Sequence, residues 1–158
     1  DLFNGTIRDN VRLARVTASD AEVEAAMSRL GILDHFERLP EGLDTEVRER
    51  GSRLSAGERQ LVALGRAALV DPAVLVLDEA TSNLDPGTEA EVEAALERLM
   101  QGRTTIVVAH RLTTVQRADR IVVVDKSRIV EVGSHVELLA RGGKYAALAR
   151  AWEKSHAL

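Results

Sequence analysis

The stretch VLVLDE, residues 74–79, decides the fold class of this chain. Four aliphatic residues in a row are typical of a strand that is buried on both faces of a parallel sheet. Two carboxylates, Asp78 and Glu79, follow at the carboxyl edge, where open α/β sheets bind their ligands. Neighbours on a strand point to opposite sides, so the two carboxylates cannot share one task. One can hold a hydrated Mg²⁺ while the other aligns or deprotonates a water, although two carboxylates that only end a strand give the same pattern.

Helices alternate with strands along the rest of the chain. A capping box, in which a serine precedes a glutamate by three residues, predicts helix starts at Ser19, Ser55 and Ser134. Asp85 followed by Pro86 predicts another, since aspartate caps helices well and proline suits their first turn. This alternation predicts an α/β layer with some parallel pairing. The other predicted elements are a loop over residues 37–54, a second buried strand over 104–109, and strands over 121–125 and 128–132.

Length and composition exclude several classes of protein. The 158 residues match one domain, and 45% hydrophobic residues are enough to bury a core. A net charge of −4 without a basic tract argues against nucleic acid, and against an anionic membrane, as the main partner. The absence of cysteine excludes a disulfide scaffold and a thiolate metal site. The start at Asp1 has no initiator methionine and no signal-peptide pattern, so we expect the chain to be a piece of a longer protein.

Two further clusters carry groups that suit an anion. The stretch LSAGERQ, residues 54–60, opens a helix, and its small Ala56 and Gly57 allow a phosphate to approach the helix N-terminus. His110 directly follows the second predicted strand, where it is placed to donate a hydrogen bond to such a group. Each cluster also has a simpler explanation, because capping boxes are common and a lone histidine is more often an ordinary hydrogen-bonded side chain.

In combination, these clusters closely resemble the nucleotide-binding domains of ATP-binding cassette (ABC) transporters. The order and the intervals match the family's signature loop at LSAGERQ, its Walker B strand at VLVLDE, its D-loop at SNLD (82–85) and its switch histidine at His110. The stretches LFNGTIRDN (2–10) and TEVRERG (45–51) resemble the segment after the Q-loop and the X-loop of the exporter subclass. The resemblance covers essentially the whole chain.

The resemblance implies a role for each matching residue. Two such domains pack head to tail, and each ATP lies between the Walker motifs of one domain and the signature loop of the other. Within one copy, Asp78 would hold Mg²⁺ through water, Glu79 would polarise the attacking water, and His110 would contact the γ-phosphate. Asp85 would link the two sites, and the X-loop around Glu49 would sense the transmembrane domains. Four residues of the signature loop would bind the nucleotide of the opposite site: Ser55, Ala56, Gly57 and Glu58.

Two of these positions depart from the family's usual sequence. Ala56 stands where the family usually has glycine, and it adds only a methyl group. Glu58 stands where the family usually has glutamine. Its negative charge near the phosphate site is expected to weaken nucleotide binding.

The chain contains no phosphate-binding loop of the pattern G-x-x-x-x-G-K-[ST]. Its only Gly-Lys pair, Gly143-Lys144, is followed by Tyr145 and has Leu138 where the first glycine belongs. The resemblance therefore implies an α/β fold that is a partial P-loop NTPase (RecA-like) core without its Walker A portion. It divides the chain into the remainder of the ABC helical subdomain over residues 1–70 and the C-terminal half of the ATPase core over residues 71–158.

These implications predict a function that depends on the parent protein. We expect that protein to be an ABC exporter, which couples ATP hydrolysis to transmembrane transport from the cytoplasmic face of the cell membrane. The isolated chain should be nearly inactive, because Glu79 has no held phosphate to act on. A strand bearing Walker A would lie beside residues 104–109, so without it this apolar edge should favour self-association.

Two alternatives stay open from the sequence. In an asymmetric heterodimer, one half can be non-catalytic and only regulate, although Glu79 and His110 argue that this chain is competent. The second alternative is a soluble ABC-type ATPase of DNA repair. The short region before the signature loop and the net charge of −4 disfavour it.

Overall fold

The structure is a computed structural model that describes residues 2–47, 53–78 and 84–155. The chain divides into two compact units. The larger unit is drawn from residues 1–76 and 82–106, and the smaller unit is drawn from residues 77–81 and 107–158. Helices and strands occur together in the described residues, so the predicted α/β class is confirmed.

Helices make up most of the larger unit. Its elements before the first long strand are β1 (Gly5–Thr6), α1 (Ile7–Arg12), α2 (Asp20–Arg29), α3 (Leu33–Glu37), a 3₁₀ turn (Gly42–Asp44), β2 (Glu46–Val47) and α4 (Ala56–Val70), and α5 (Pro86–Met100) follows that strand. Helix α4 packs against α1, α2 and α5. At Gly65 of α4, an added Cβ would lie 3.4 Å from Val11 of α1 and 3.6 Å from Met27 of α2. Buried aliphatic side chains of these helices form the core of the unit.

The helix starts follow the local signals. The capping boxes predicted at Ser19, Ser55 and Ser134 are all present. Thr6 forms a further box, with Asp9 in the place of the usual glutamate. Helix α2 ends before Gly31, which adopts the left-handed conformation with φ 71° that glycine tolerates best. These signals act over a few residues, which is why a sequence predicts them well.

The loop predicted over residues 37–54 is partly wrong. It contains the 3₁₀ turn, and β2 forms an antiparallel pair with β1, with Gly5 opposite Val47. The two strands are about forty residues apart in the chain, so no local pattern could reveal their pairing. Residues 48–52 lie outside the described residues.

Two further strands, β3 (Val74–Asp78) and β4 (Thr104–Val108), are hydrogen-bonded neighbours. Both were predicted as strands, which is confirmed, but the prediction that they are buried on both faces is wrong. Leu75 is 7% exposed, whereas Val76 is 67% exposed and Ile106 is 55% exposed. The described residues therefore cover only one face of this pair. A continuous apolar run permits burial on both faces, but it does not ensure that the same chain covers both.

The smaller unit is built around a hairpin. Strand β5 (Ile121–Asp125) pairs antiparallel with β6 (Arg128–Gly133), with a bulge between Val123 and Val124. Three helices accompany the hairpin: α6 (Leu112–Gln116), α7 (His135–Arg141) and α8 (Lys144–Ser155). Their shared core contains Val115, Ile121, Val123, Leu138, Tyr145 and Ala149.

None of the helices in the described part of the chain has the length and apolarity needed to cross a membrane.

Candidate functional site

The start of α4 is built by Ser55 and Glu58. Glu58 donates its backbone N–H to Ser55 Oγ at 3.1 Å, and the backbone N–H of Ser55 donates to Glu58 Oε2 at 2.7 Å. This reciprocal pair fixes the first turn, with Ala56 and Gly57 at its N-terminal end. The helix dipole gives this end a partial positive charge, which favours an anion. The capping box predicted at Ser55 is therefore confirmed, whereas anion binding at this helix end stays a prediction.

Gly57 lies against the start of α5. A Cβ at this position would fall 1.9 Å from Thr88 Cγ2 and 2.9 Å from Thr88 Cβ, so a side chain has no room there. From the sequence, Gly57 is explained only by the approach of a phosphate. The structure adds a second reason, which is the close packing of the two helix starts.

Glu58 has a partner that the sequence analysis did not assign. Its Oε1 lies 3.3 Å from Nε2 of His35, which belongs to α3. The Nδ1 of the same ring lies 2.6 Å from Oε2 of Glu91 in α5. The side chains of His35 and Glu58 are largely buried, with 22% and 18% of their area exposed. The sequence placed His35 only in a polar helical setting, because nothing local indicates a contact across 23 residues.

Asp85 caps α5. Its Oδ1 accepts a hydrogen bond from the backbone N–H of Thr88 at 3.0 Å, and Pro86 occupies the first helical position as predicted. Hydrogen bonds from the Thr88 side chain and then from the Thr88 backbone lower the pKa of the Asp85 carboxyl. Asp85 is therefore held as a carboxylate at the position of the predicted D-loop.

In the smaller unit, the structure brings Asp78 and His110 together. Asp78 is the last residue of β3, and His110 follows two residues after the end of β4. His110 Nε2 lies 3.2 Å from Asp78 Oδ1. Both side chains are solvent-accessible, at 53% and 78% exposed. Two residues that are 32 positions apart thus lie close together at the ends of neighbouring strands. From the sequence each was placed at a strand end separately, and their role in binding a ligand stays a prediction.

Asp78 fits a hydrated magnesium ion. Mg²⁺ in proteins usually keeps several waters and is bound through one or two carboxylates together with substrate phosphates. A single accessible carboxylate at a strand end suits that mode. Among the residues that the structure describes, no group of three or more histidine, aspartate and glutamate side chains forms a metal cage. Glu79 lies outside the described residues, as do Ser82, Asn83 and the X-loop positions 48–51.

Comparison with known proteins decides the family. Residues 1–82 match the family described as ABC transporter. The chain belongs to the ABC transporter family. An ABC exporter of solved structure, described as a bacterial Atm1-family ABC exporter with ATP bound, is 47% identical to this chain and superposes on it with a TM-score of 0.82. That match covers 95% of this chain and 26% of the exporter.

Several ABC proteins of known sequence are similarly close. The ABC transporter ATP-binding protein YfiC of Bacillus subtilis (strain 168) is 51% identical over 93% of this chain and 24% of its own length. The ATP-dependent lipid A-core flippase of Burkholderia orbicola (strain AU 1054) is 53% identical over 94% of the chain and 25% of its own length. The Beta-(1-->2)glucan export ATP-binding/permease protein NdvA of Rhodopseudomonas palustris (strain BisB18) is 51% identical over 95% and 25%, respectively. The chain thus spans about a quarter of the length of the curated ABC relatives it matches.

Proposed function

We propose that this chain is the part of an ABC exporter's ATP-binding domain that carries the signature loop and Walker B. One observation carries the proposal: Asp78 and His110 meet at 3.2 Å at the ends of two neighbouring strands, in a chain of this family. Several relatives are named as exporters or flippases, which supports transport as the coupled process. In this proposal, residues 1–70 belong to the helical subdomain and residues 71–158 to the ATPase core.

The residues of the Walker B side act within one copy. Asp78 would hold hydrated Mg²⁺, and His110 would donate a hydrogen bond to the γ-phosphate. Glu79 orients and polarises the attacking water, which is the task left to the second carboxylate of the pair. Bound Mg²⁺ would neutralise charge on the phosphate oxygens. Since phosphoryl transfer depends on positioning and charge stabilisation, these groups act only on a nucleotide that is already held.

The residues of the α4 start act on a second copy. Ser55, Ala56, Gly57 and Glu58 present the helix N-terminus to the ATP of a head-to-tail partner domain, and Asp85 connects the two sites. The transmembrane domains of the same transporter are the other partners, and the domain lies at the cytoplasmic face of the membrane. The isolated chain is inactive, because its sequence holds no P-loop to bind the phosphates.

The test is ATP hydrolysis by the full-length transporter that carries this chain. Replacing the proposed base, Glu79→Gln, should lower kcat by about 100-fold or more, because a positioned general base contributes that much. The control is Glu153→Gln, the same chemical change in the exposed face of α8, which should leave kcat unchanged. Hydrolysis by the purified 158-residue chain that Glu79→Gln abolishes would contradict the proposed dependence on a separate phosphate-binding loop.

A non-catalytic, regulatory half of an asymmetric pair is the second candidate. The carboxylate of Glu58 at the start of α4 favours it, because a negative charge opposes an anion at this helix end. The same experiment separates the two functions. A full-length protein whose hydrolysis is indifferent to Glu79→Gln would be the regulatory half.

A further inference from the structure

His35 lies between two carboxylates that belong to two other helices. Its Nε2 is 3.3 Å from Glu58 Oε1 in α4, and its Nδ1 is 2.6 Å from Glu91 Oε2 in α5. Glu91 is the more exposed of the two carboxylates, at 43%, against 18% for Glu58. The imidazole therefore connects the signature helix with the helix that the D-loop caps.

Both ring nitrogens of His35 face groups that only accept hydrogen bonds. A carboxylate has no proton to donate, and a neutral imidazole carries a proton on one nitrogen only. The ring satisfies both contacts only as the imidazolium, which carries a proton on each nitrogen. Hydrogen bonds from the ring to both carboxylates at once therefore need a proton on each nitrogen, whereas one contact alone does not.

The charge of Glu58 matters because of where it lies. One of its carboxylate oxygens closes the capping box with Ser55 and the other faces His35, so the whole group is held at the first turn of α4. A carboxylate there competes with a phosphate for the partial positive charge of the helix end. An adjacent cation offsets that competition, and a partly buried pair is screened less by salt than an exposed one.

We propose that His35 is a positioning residue of the signature loop: its imidazolium bridges Glu58 and Glu91, offsets the charge of Glu58, and so lets the start of α4 accept the phosphates of ATP. The inference rests on the proposed function for the identity of the anion. It explains how a chain with glutamate at this position can keep a working signature loop.

The first experiment measures KM for MgATP in the full-length transporter. The change His35→Gln keeps a polar side chain but removes the charge, and it should raise KM about two- to fivefold with little effect on kcat, as for a partly exposed ion pair. In the Glu58→Gln background the same change should leave KM unchanged, because no charge remains to be offset. An equal rise in KM in both backgrounds, or none in either, would overturn the proposal.

The matched control is Arg38→Gln. It removes one positive charge from the residue that caps the end of α3, three positions from His35, where the side chain is exposed. KM should not change. A rise as large as that of His35→Gln would mean that net charge alone sets the affinity, which also overturns the proposal.

A second experiment does not depend on activity. Nitrogen-15 NMR of the four histidines of the chain at neutral pH, with His35→Gln to assign the signal, should show His35 with a proton on both ring nitrogens. A neutral tautomer would refute the bridge. A transporter without ATP hydrolysis would instead count against the proposed function, while the NMR result would still decide the state of His35.

Discussion

At the residue scale, the first turns of α4 and α5 meet at Gly57 and Thr88, with no space for a further methyl group between them. The backbone N–H of Thr88 is at the same time the donor that Asp85 accepts in capping α5. The start of α4 and the cap of α5 therefore share one packed contact. A substitution at either residue should therefore change the packing of the other.

The variant Gly57→Ala should destabilise the 158-residue chain by about 1–3 kcal/mol, since overpacking a close contact forces neighbours to move. Combining it with Thr88→Ser, which removes Cγ2 but keeps the hydroxyl, should recover part of the loss. Urea unfolding gives the free energies. The control is Gly87→Ala, where the added Cβ would meet Asp85 Oδ1 at an ordinary 3.4 Å and stability should be kept or slightly raised. Equal losses for both alanine variants would rule out the contact as the cause.

At the scale of the element, several helices carry an acidic residue in their first turn. Its charged carboxylate accepts hydrogen bonds from the serine or threonine that caps the helix. The backbone N–H of Ser19 and then its hydroxyl lower the pKa of Glu22 at the start of α2. The same arrangement lowers the pKa of Asp9 through Thr6 and that of Glu137 through Ser134. Each of these groups binds protons less readily in the folded chain than in the unfolded chain, so its stabilisation is present above its unfolded pKa and is lost as the pH falls through its folded pKa.

The variant Glu22→Gln should make stability less dependent on pH in acid. Glutamine still accepts the hydrogen bond of Ser19 but does not titrate, so the loss of stability between about pH 5 and pH 3 should be shallower than in the wild-type chain. Urea unfolding at a series of pH values measures the slope. Glu41→Gln is the reference for loss of a carboxylate, because Glu41 is exposed and its side chain makes no capping hydrogen bond to the 3₁₀ turn that follows it. If the unfolding free energy of Glu22→Gln depended on pH as steeply as that of the wild-type chain, the capping box of Ser19 and Glu22 would not be the source of the pH dependence.

At the scale of the whole molecule, the two compact units both expose apolar strand residues. In the pair β3 and β4 these are Val74, Val76, Ile106 and Val108, each more than half exposed. Within the described residues, β4 pairs with β3 alone, which leaves its other edge without a strand. Exposed apolar strands with an open edge are prone to pair with another copy.

The purified chain should therefore self-associate, and lysine at the centre of the open face should oppose it. Sedimentation velocity over a range of concentrations should show the wild-type chain shifting from monomer to larger species. The double variant Val76→Lys and Ile106→Lys should shift this equilibrium towards monomer. Val16→Lys, at an exposed valine between α1 and α2, should leave it unchanged. A wild-type chain that stays monomeric throughout the range would refute the prediction.

The sequence by itself determined the local elements and the family. Capping boxes, the apolar run before Asp78 and the hairpin at residues 121–132 are signals that act over a few residues, so helix starts and strands could be predicted from them. The positions of Asp78 and His110 at strand ends were also predicted, because ligand-binding groups gather at the carboxyl edge of such sheets. Their contact at 3.2 Å came only from the structure. Only the tertiary structure decided the rest: the pairing of β1 with β2, the open face of β3 and β4, the contact of Gly57 with Thr88, and the bridge of His35 to Glu58 and Glu91. These features join residues far apart in the chain, and such contacts depend on which surfaces the fold brings together, which no local pattern encodes.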